Sequence, residues 1–415
     1  MSTSDSTPAS GAGRRQAQAA MPAAARRLVG MLDRIQHGAL TVHWPNGETG
    51  HFGAQDEASL SRHASVTMVN WLPVQKALNS GDIGFAQAYI DGDWHTPDLA
   101  ALLRLIVANR NALEDAIYGH WLGRLVYRLR HWMRRNHKAN SAKNIPAHYD
   151  LGNDFYLKWL DETMNYSSAL FEGDFSQPMA QAQNAKVARA LRQAGVKPGD
   201  RVLEIGCGWG ALAQMATQDF GAQVVGVTLS PEQLKFAQER LQRVGTASQA
   251  DLRLQDYRDV TEQGFDAVCS IEMIEAVGQA YWPTYFEAIA RALKSGGRAC
   301  VQSIVIDDQY FERYLKGSDF IQQYIFPGGC LPCPAAFRAA AEGAGLQVVQ
   351  SHAFGPDYAE TLRRWRADFM AQRPEVQALG FDDGFVRTWE FYLAYCEAAF
   401  DEASIDVVQY TLVKP

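Results

Sequence analysis

The second half of the chain alternates short apolar runs with segments whose apolar residues recur at helical spacing. From about Val196 this rhythm predicts helices over residues 211–219, 231–244 and 281–293, with strands in RVLEIGCGWG, AQVVGVTLS, FDAVCSIEM and GRACVQSIVI. Such alternation is typical of an α/β fold with a doubly wound parallel sheet, which binds ligands at the carboxyl ends of its strands. The β-rich stretch DVVQYTLVK predicts an additional strand at the edge of this sheet.

The stretch from about residue 25 to residue 118 has a mixed pattern that predicts a smaller α/β domain. Apolar residues recur at helical spacing from Leu28 to Ile35. Asn46 and Gly47 separate two short β-prone runs, which indicates a hairpin. ASVTMVNW predicts another strand, and the runs VQKALNSGDIGFAQAYIDGDW and LAALLRLIVANR predict helices around glycine turns. We find no chemical motif in this domain.

Between these two regions, residues 121–137 combine an apolar and aromatic stripe with arginines at helical spacing. The wider segment from Trp121 to Lys143 is basic and contains no acidic residue. A basic amphipathic helix of this kind can lie on anionic lipid, but an interdomain helix packed on protein would show the same pattern. We therefore divide the chain into a disordered tail (1–25), a lipid-engaging N-terminal domain (26–120), a basic amphipathic linker helix (121–145) and a C-terminal domain (146–415).

Composition and charge narrow the class of protein. Of the 415 residues, 47% are hydrophobic and 20% charged, as in globular proteins rather than disordered or fibrous ones. The net charge of -7 argues against nucleic acid as a partner. Six cysteines in a chain of this size do not resemble a disulfide scaffold, which favours a reducing cytoplasm. The isolated pair Cys330 and Cys333 lacks the second ligand pair that zinc needs, so we expect no metal.

The run LEIGCGWG is the first motif with chemical content. Gly206, Gly208 and Gly210 directly follow a predicted strand and allow a tight turn with close approach of a ligand. Dinucleotide sites use the spacing G-x-G-x-x-G, where a helix N-terminus receives a pyrophosphate. The different spacing in this chain suits a ligand without phosphate, such as S-adenosylmethionine, although a plain turn could carry the same glycines.

Two further strand ends carry polar residues that suit the other parts of such a ligand. The segment VTLSPEQ lacks the acidic residue that dinucleotide folds use for ribose, so Thr228 and Gln233 would make any ribose contacts. In LRLQDYRD, Asp256 and Tyr257 could hold the adenine by hydrogen bonding and stacking. Each position alone would look the same in a solvated turn, but three sites in order on three strand ends favour a binding site.

An ordered set of motifs resembles the cyclopropane-fatty-acyl-phospholipid synthase family, which includes the mycolic acid methyltransferases. The matching stretches run from about residue 146 to residue 400 and are HYDLGNDFY, MNYSSALF, VLEIGCGWG, GVTLSPEQ, QDYRD, EMIEAVG, YIFPGGCLP, DYAETL and FYLAYCEAAF. GDIGFAQAYIDGDW also resembles the N-terminal domain of the longer bacterial members. The resemblance implies a Rossmann-like methyltransferase domain, S-adenosylmethionine as methyl donor and an unsaturated acyl chain, usually on a phospholipid, as acceptor.

The resemblance also implies roles for individual residues. It places Tyr166 and Ser167 in a lid over the cofactor and His148 near a bound bicarbonate ion, which Glu275 would orient and to which Tyr358 would donate. A double bond that attacks the donor methyl leaves a carbocation, and the bicarbonate would remove the proton as general base without the risk that a protein carboxylate is alkylated. The catalytic candidates are His148, Ser168, Glu275, Gln302, Tyr358 and Cys396. The cofactor-binding candidates are Tyr166, Ser167, Glu204, Gly206, Gly208, Gly210, Thr228, Leu229, Gln233, Asp256 and Tyr257.

Structural roles remain open for several of these residues. Asp150 or Asn153 could satisfy the free N–H groups of a helix start. Glu275 could be a carboxylate at a helix start, and Tyr358 a core ring with a satisfied hydroxyl. Cys396 has helical neighbours that favour packing over catalysis. The ring-rich run YWPTYF could line the acyl tunnel and stabilise the cation, but most of its rings would belong to the core.

Two positions depart from the family pattern. Ser168 stands where typical synthases have cysteine, and Gln302 stands where they have a histidine in the fourth strand. The pocket would keep hydrogen-bond donors but lose a titratable ring, so bicarbonate would bind less tightly or the product would change. We expect a cyclopropane, with a methylated unsaturated chain as its rival.

The sequence also supports expectations about the setting of the reaction. No apolar run approaches the roughly 20 residues needed to span a bilayer. We expect a cytoplasmic enzyme that visits the inner membrane face, with a phospholipid surface as partner and a homodimer as the family's assembly. The fold would serve a small soluble acceptor equally well, and a lipid-surface protein that binds the cofactor without turnover would carry the same altered anion pocket.

Overall fold

The computed structural model describes residues 21–54, 62–113 and 151–415. The chain divides into two compact units, Met1–Leu125 and Val126–Pro415. The predicted linker helix (121–145) and His148 lie outside the described residues, as does most of the predicted tail. The first helix begins at Ala23, inside the stretch predicted as disordered.

The N-terminal unit is a small α/β layer, as its pattern predicts. Its sheet has the order β2-β1-β3-β4, and the hairpin at Asn46–Gly47 is confirmed by antiparallel pairing of β1 with β2. Asp98 starts the last helix by accepting a hydrogen bond from the Ala101 N–H. The described elements are α1 (Ala23–Leu32), β1 (Ala39–His43), β2 (Thr49–Gly53), β3 (His63–Met68), α2 (Leu72–Ile90), β4 (Trp94–His95) and α3 (Leu99–Ala108).

The C-terminal unit contains the predicted alternation of strands and helices. Its helices are α4 (Asn153–Tyr156), α5 (Met179–Gln193), α6 (Ala211–Gln218), α7 (Pro231–Arg243), α8 (Ile274–Val277), α9 (Trp282–Ala292), α10 (Asp308–Leu315), α11 (Pro334–Gly343), α12 (Gly355–Ala371), α13 (Arg373–Ala378) and α14 (Asp383–Asp401). Its strands are β5 (Arg201–Ile205), β6 (Gln223–Thr228), β7 (Ala250–Leu254), β8 (Phe265–Ile271), β9 (Leu293–Ile306), β10 (Gln347–Ala353) and β11 (Ile405–Val413). A π-helical turn covers Ile321–Ile325, and 3-10 turns cover Ala247–Gln249, Tyr257–Asp259 and Gln279–Tyr281.

These strands form one seven-stranded sheet with the order β10-β11-β9-β8-β5-β6-β7. The five neighbouring strands β9, β8, β5, β6 and β7 pair in parallel, whereas β11 is antiparallel to both β9 and β10. The prediction that DVVQYTLVK forms an edge strand is therefore wrong. Val407 to Leu412 are all buried, so this strand needs cover on both faces, whereas β10 is mostly exposed and forms the edge.

The sheet brings several loops to the carboxyl edge of its parallel strands, where a doubly wound fold binds its ligands. β5 runs into the glycine loop, β6 into the cap of α7, and β8 into Glu272. Ser230 caps α7 by accepting from the Gln233 N–H. Pro231 fits the first helical position because proline has no N–H, and an N–H there would have no acceptor within the helix. These loops supply most of the candidate site.

Candidate active site

A cavity lies at the carboxyl ends of β5, β6 and β7, where the sequence predicts a ligand. Several of the predicted cofactor-binding residues line it together: Gly206, Thr228, Leu229, Asp256 and Tyr257. Ile205, Val227 and Val277 give it an apolar floor, and Met273 contributes its thioether side chain. An apolar pocket with a few polar groups is the usual form of a small-molecule site.

The glycine loop after β5 requires glycine for steric reasons. Gly206 has φ +84°, and a Cβ there would lie 2.4 Å from the Sδ of Met273. Gly210 has φ +82° and caps α6, where a Cβ would lie 2.8 Å from the Cβ of Ala237. The added atom at Gly208 would meet open space, so only the backbone conformation, φ +48°, favours glycine there. Packing and backbone conformation therefore require glycine at Gly206 and Gly210, and Gly206 lines the cavity.

Glu204 lies buried at the end of β5, beneath this loop. Its Oε2 has no hydrogen-bond partner among the described residues, and burial raises the pKa of its carboxyl well above the usual range. A buried acceptor without a donor is rare in folded proteins and points to an outside group. The amino group of S-adenosylmethionine is a donor of the required kind, so the residues at this edge fit that molecule.

The residues expected to hold the ribose and adenine are already ordered by neighbours. The Thr228 hydroxyl donates to Oε1 of Gln233 at 3.1 Å, which fixes the orientation of that amide. Asp256 accepts from the Arg258 guanidinium at 2.8 Å. The ring of Tyr257 packs edge-on against Tyr285, with 5.6 Å between centroids. These contacts preorganise the side chains that face the cavity.

Tyr166 and Ser167 do not line this cavity; they occupy a neighbouring buried network. The Tyr166 hydroxyl is 2.8 Å from that of Tyr392. The ammonium of Lys186, which is fully buried, donates to Oγ of Ser167 and to Oδ1 of Asn165. Burial lowers the pKa of Lys186 to about 8, against the attraction of Glu272 and other carboxylates. The sequence reasoning missed Lys186, although it lies four residues from both Ala182 and Ala190 on the buried face of α5.

Glu272 is the centre of a cluster of hydrogen bonds, and the sequence reasoning missed it as well. Its Oε2 accepts from the Tyr358 hydroxyl at 2.7 Å. Its Oε1 accepts from Nε2 of Gln302 at 2.7 Å and from the backbone N–H of Ser168 at 2.9 Å. Glu272 directly follows β8 and precedes Met273, which lines the cavity. Its position at the carboxyl end of a parallel strand was the signal that could have identified it.

Burial raises the pKa of the Glu272 carboxyl, and the donors from Tyr358, Ser168 and Gln302, together with the charge of Lys186, limit that rise. The phenol pKa of Tyr358 is raised well above its usual range by burial and by the adjacent carboxylate. The proton between them therefore stays on Tyr358, which acts as donor, and Glu272 is the acceptor.

Glu275, which the resemblance expects to orient a bound ion, contacts the backbone of β9. Its Oε1 accepts from the backbone N–H of Ile304, and its Oε2 has no hydrogen-bond partner within the described residues. Burial and the neighbouring Glu272 raise the pKa of Glu275 to about 8. Tyr358, which the resemblance expects to donate to that ion, donates to Oε2 of Glu272 in this structure.

Ser168 and Gln302 both donate to Oε1 of Glu272, Ser168 through its backbone and Gln302 through its side chain. The Ser168 hydroxyl donates instead to the carbonyl of Ala169. Gln302 is fully buried and also accepts from Nε2 of Gln409 at 2.9 Å. The amide of Gln302 therefore has a fixed orientation, with its nitrogen directed at Glu272.

Other candidates have structural contacts. Burial raises the pKa of the Cys396 thiol far above its usual range, which disfavours a thiolate nucleophile at this position. The prediction that Asn153 caps a helix is wrong: the N-cap of α4 is Gly152 without a side-chain bond, and Asn153 accepts instead from Nε1 of Trp209 at 2.7 Å. Asp150 and His148 lie outside the described residues.

The rings of the run YWPTYF lie mainly in the core, as expected, and an aromatic wall beside Glu272 comes from other segments. Trp282, Tyr285 and Phe286 of the run YWPTYF are buried in the core of the sheet domain. The rings near the pocket are instead Tyr166 and Tyr358, whose centroids lie 5.5 and 6.3 Å from that of Trp365. Tyr358 and Trp365 are seven residues apart on α12 and so share a face of the helix.

The part of the chain that the structure describes contains neither a metal-binding cluster nor a membrane-spanning helix. There, no cluster of three or more His, Cys, Asp or Glu residues has the arrangement of a metal site. Cys333 instead caps α11 by accepting from the Ala336 N–H at 3.4 Å. Over the same residues, no helix combines the length and apolar character needed to cross a bilayer.

The sheet order, the glycine loop and the cavity at the strand ends define a methyltransferase that uses S-adenosylmethionine. The chain belongs to the mycolic acid cyclopropane synthetase family, whose model matches residues 136–410. This confirms the resemblance, the Rossmann-like α/β fold and the assignment as an enzyme. Members of the family act on lipid acyl chains, so the protein is a lipid methyltransferase.

Two relatives of different name cover most of the chain. The chain is 40% identical to tuberculostearic acid methyltransferase from Mycobacterium tuberculosis over 341 residues, which cover 80% of this chain and 79% of the relative. It is 34% identical to cyclopropane-fatty-acyl-phospholipid synthase from Escherichia coli over 337 residues, 81% and 84% of the two chains. The relatives therefore include enzymes named for cyclopropane formation and enzymes named for methyl transfer.

Solved structures support the same fold. A mycolic acid cyclopropane synthase complexed with SAH and CTAB is 31% identical, covers 65% of this chain and 97% of its own, and superposes with a TM-score of 0.61. A cyclopropane synthase from Mycobacterium tuberculosis is 29% identical, covers 66% and 98%, and has a TM-score of 0.62.

Proposed function

We propose that the protein transfers a methyl group from S-adenosylmethionine to the cis double bond of an unsaturated phospholipid acyl chain, and that the resulting cation loses a proton without ring closure. The observation that carries this proposal is the pair of contacts made by Gln302, which stands where typical synthases have histidine. Gln302 is locked between Gln409 and Glu272, so the polar side of the pocket differs from that of a typical synthase.

A bicarbonate ion, which the resemblance implies, does not fit the residues that the structure describes, which do not include His148. Its expected donors, Tyr358 and the neighbourhood of Ser168 and Gln302, already bind the Glu272 carboxylate. A second anion would meet two buried carboxylates, Glu272 and Glu275. Burial, and after it the repulsion from Glu272, already raises the pKa of Glu275 to about 8. We therefore route no step of the reaction through bicarbonate.

S-adenosylmethionine supplies a methyl group bonded to a positively charged sulfur. Around it, the glycine loop and Glu204 would bind the amino acid portion, and Thr228 with Gln233 would hold the ribose. Asp256 and Tyr257 would hold the adenine. The side chains that would hold the ribose and the adenine are ordered before ligand binding by the contacts described above, which limits the entropy lost on binding.

The aromatic wall would protect the cation that forms on the acyl chain. Tyr166, Tyr358 and Trp365 present rings next to the Glu272 pocket. The faces of such rings attract positive charge by about 0.5–2 kcal/mol each. A buried apolar setting also keeps water from the cation, which favours proton loss over hydration.

A cyclopropane product is the second candidate. It is favoured by the shared family and by the cyclopropane-fatty-acyl-phospholipid synthase that covers most of this chain. Methyl transfer without a ring is favoured by the altered pocket and by the tuberculostearic acid methyltransferase, to which the identity is higher. Both products arise from one cation. Loss of a proton from the added methyl, with bond formation to the cationic carbon, closes the ring, whereas loss of a proton from a carbon next to the cationic carbon forms a double bond.

The partner surface is part of the same proposal. We infer that a phospholipid membrane presents the acyl chain, that the protein acts at the cytoplasmic face, and that the basic segment 121–145 attracts anionic lipid. Support comes from the charge of that segment in the sequence and from relatives that modify lipids. A homodimer is proposed on the resemblance alone.

The product test uses S-adenosylmethionine with a carbon-13 methyl group and vesicles that contain a cis-monounsaturated phospholipid. Carbon-13 spectra of the released fatty acids separate a ring carbon, a methyl carbon and an exocyclic methylene carbon. We expect label in a methyl or methylene carbon. Label in a ring carbon would establish cyclopropane formation, and label found only in added small amines would refute the lipid substrate.

A further inference from the structure

The site has one feature that the proposed function leaves unexplained. The carboxylate of Glu272 is bound by donors that the resemblance expects to hold a bicarbonate ion. Glu272 accepts from three donors that belong to three different parts of the fold: Tyr358 on α12, Gln302 on β9 and the Ser168 backbone before α5. A solvent-exposed glutamate is normally hydrated and does not accept hydrogen bonds from three separate parts of a fold. The pocket is therefore built around this carboxylate.

The backbone at Glu272 supports the same conclusion. Its φ is +51°, a left-handed conformation that non-glycine residues seldom adopt and that tends to occur at functional sites. Its N–H donates to the carbonyl of Gln302 at 2.9 Å, which holds the strained residue in place. The conformation occurs directly after β8, beside Met273 and the cavity.

The hydrogen-bond capacity of the carboxylate leaves room for one more partner. An ionised carboxylate has about four lone-pair sites, two on each oxygen. Oε1 accepts from Gln302 and Ser168, whereas Oε2 accepts from Tyr358 alone among the described residues. One lone pair of Oε2 can therefore receive a proton.

We propose that Glu272 is the general base of the reaction and takes the place of an external anion. The inference rests on the proposed function. The π electrons of the double bond form the new bond to the methyl carbon while the carbon–sulfur bond breaks, with its electron pair going to sulfur. Oε2 of Glu272 then takes a proton from a carbon next to the cationic carbon, and the electron pair of that C–H bond forms a new carbon–carbon double bond. Where a hydride first shifts from the methylated carbon to the cationic carbon, the proton comes from the added methyl and the double bond is an exocyclic methylene. The proton leaves to water after product release.

The bound donors also answer the objection that a protein carboxylate would be alkylated. Both oxygens of Glu272 are engaged by donors from fixed elements, which reduces their nucleophilicity towards carbon. Burial raises the pKa of Glu272 and so preserves its affinity for a proton. The charged groups that face it are Lys186 on α5 and Glu275 on α8.

The first test compares wild-type protein with Glu272→Gln, which keeps the shape of the side chain but removes the base. Glu342→Gln makes the same chemical change at an exposed position on α11 and is the control. We expect labelled lipid to form at least a hundredfold more slowly in Glu272→Gln, because general bases contribute about 10²–10⁴-fold. Binding of S-adenosylmethionine, measured by calorimetry, should change by less than a few-fold. A rate within a few-fold of wild type would overturn the proposal.

The second test removes and restores the external anion. Wild-type activity should be unchanged in buffer stripped of bicarbonate; loss on stripping and recovery on addition would overturn the proposal. Glu272→Gly suits the left-handed backbone and opens the space of the carboxylate, so added bicarbonate should restore its activity in a saturable way. Glu272→Gln fills that space and should not be rescued. Equal rescue of both variants would contradict the inference that the side chain at position 272 occupies the space that an anion would need.

The two proposals fail in different ways. Wild-type protein that binds S-adenosylmethionine but labels no lipid would refute the proposed substrate. Wild-type protein that labels lipid at the same rate as Glu272→Gln would refute only the role of Glu272.

Discussion

Replacement of Tyr358 by phenylalanine tests how the pocket controls its carboxylate. The change removes the phenol that donates to Oε2 of Glu272 at 2.7 Å and leaves the ring in place. A hydrogen bond to a charged group contributes about 1.5–3 kcal/mol. Because about 1.36 kcal/mol corresponds to one pKa unit, the loss of this bond should raise the pKa of Glu272 by about 1–2 units.

The sign of the effect follows from the role of the carboxylate as a base. Activity requires the ionised form, so it is lost as the pH falls through the pKa of Glu272, which burial already raises. In Tyr358→Phe this acid limb should move to higher pH by about 1–2 units. On the acid side of both limbs the rate should fall by roughly tenfold for each unit of the shift.

The assay is the initial rate of label transfer to vesicle lipid as a function of pH, at saturating S-adenosylmethionine. Tyr410→Phe is the matched control, because Tyr410 is buried on β11 and packs on Phe337 rather than on Glu272. Burial brings the pKa values of both Lys186 and Glu275 to about 8, so the assignment of the acid limb depends on the difference between variants. A uniform loss of rate with an unmoved acid limb would refute the reasoning.

Three further predictions concern the cofactor loop, the contact that secures it, and the membrane. Gly206→Ala should weaken S-adenosylmethionine binding at least tenfold in calorimetry, because its Cβ would clash with Met273 at φ +84°; unchanged affinity would contradict this. Trp209→Phe removes the bond to Asn153 and should lower the free energy of unfolding by about 1 kcal/mol in denaturant titrations, whereas no change would show that the bond adds nothing. Sedimentation with anionic vesicles should weaken as salt is raised, through the basic segment 121–145, and equal binding to neutral vesicles at high salt would count against it.

Much of the sheet domain could be predicted from the sequence, because its strands and helices carry strong and distinct periods. The strands around Leu203 and Val268 are continuous apolar runs, as buried parallel strands require. β10 was missed because its edge position leaves polar residues such as Gln350 exposed. The place of β11 could not be predicted, because strand order depends on long-range packing and not on local pattern.

The candidate site was predictable only in part, for a related reason. Gln302 and Tyr358 were identified because family motifs surround them, and the structure brings them to one carboxylate. The motif EMIEAVG directed attention to its second glutamate, so Glu272 was overlooked in favour of Glu275. Lys186 was overlooked because lysine on a helix is normally solvated, and nothing local shows that this one is buried.

The hydrogen bonds behind Gln302 have a consequence for how such a site can evolve. The Arg189 guanidinium donates to Oε1 of Gln409, the Gln409 amide donates to Gln302, and Gln302 donates to Glu272, so the orientation of each member depends on the one before it. A single substitution in this series would leave a buried donor or acceptor unsatisfied, at a cost of about 1–3 kcal/mol. These positions are therefore expected to be inherited as a set, and lineages that exchange Gln302 for histidine should also have changed Glu272 and Gln409.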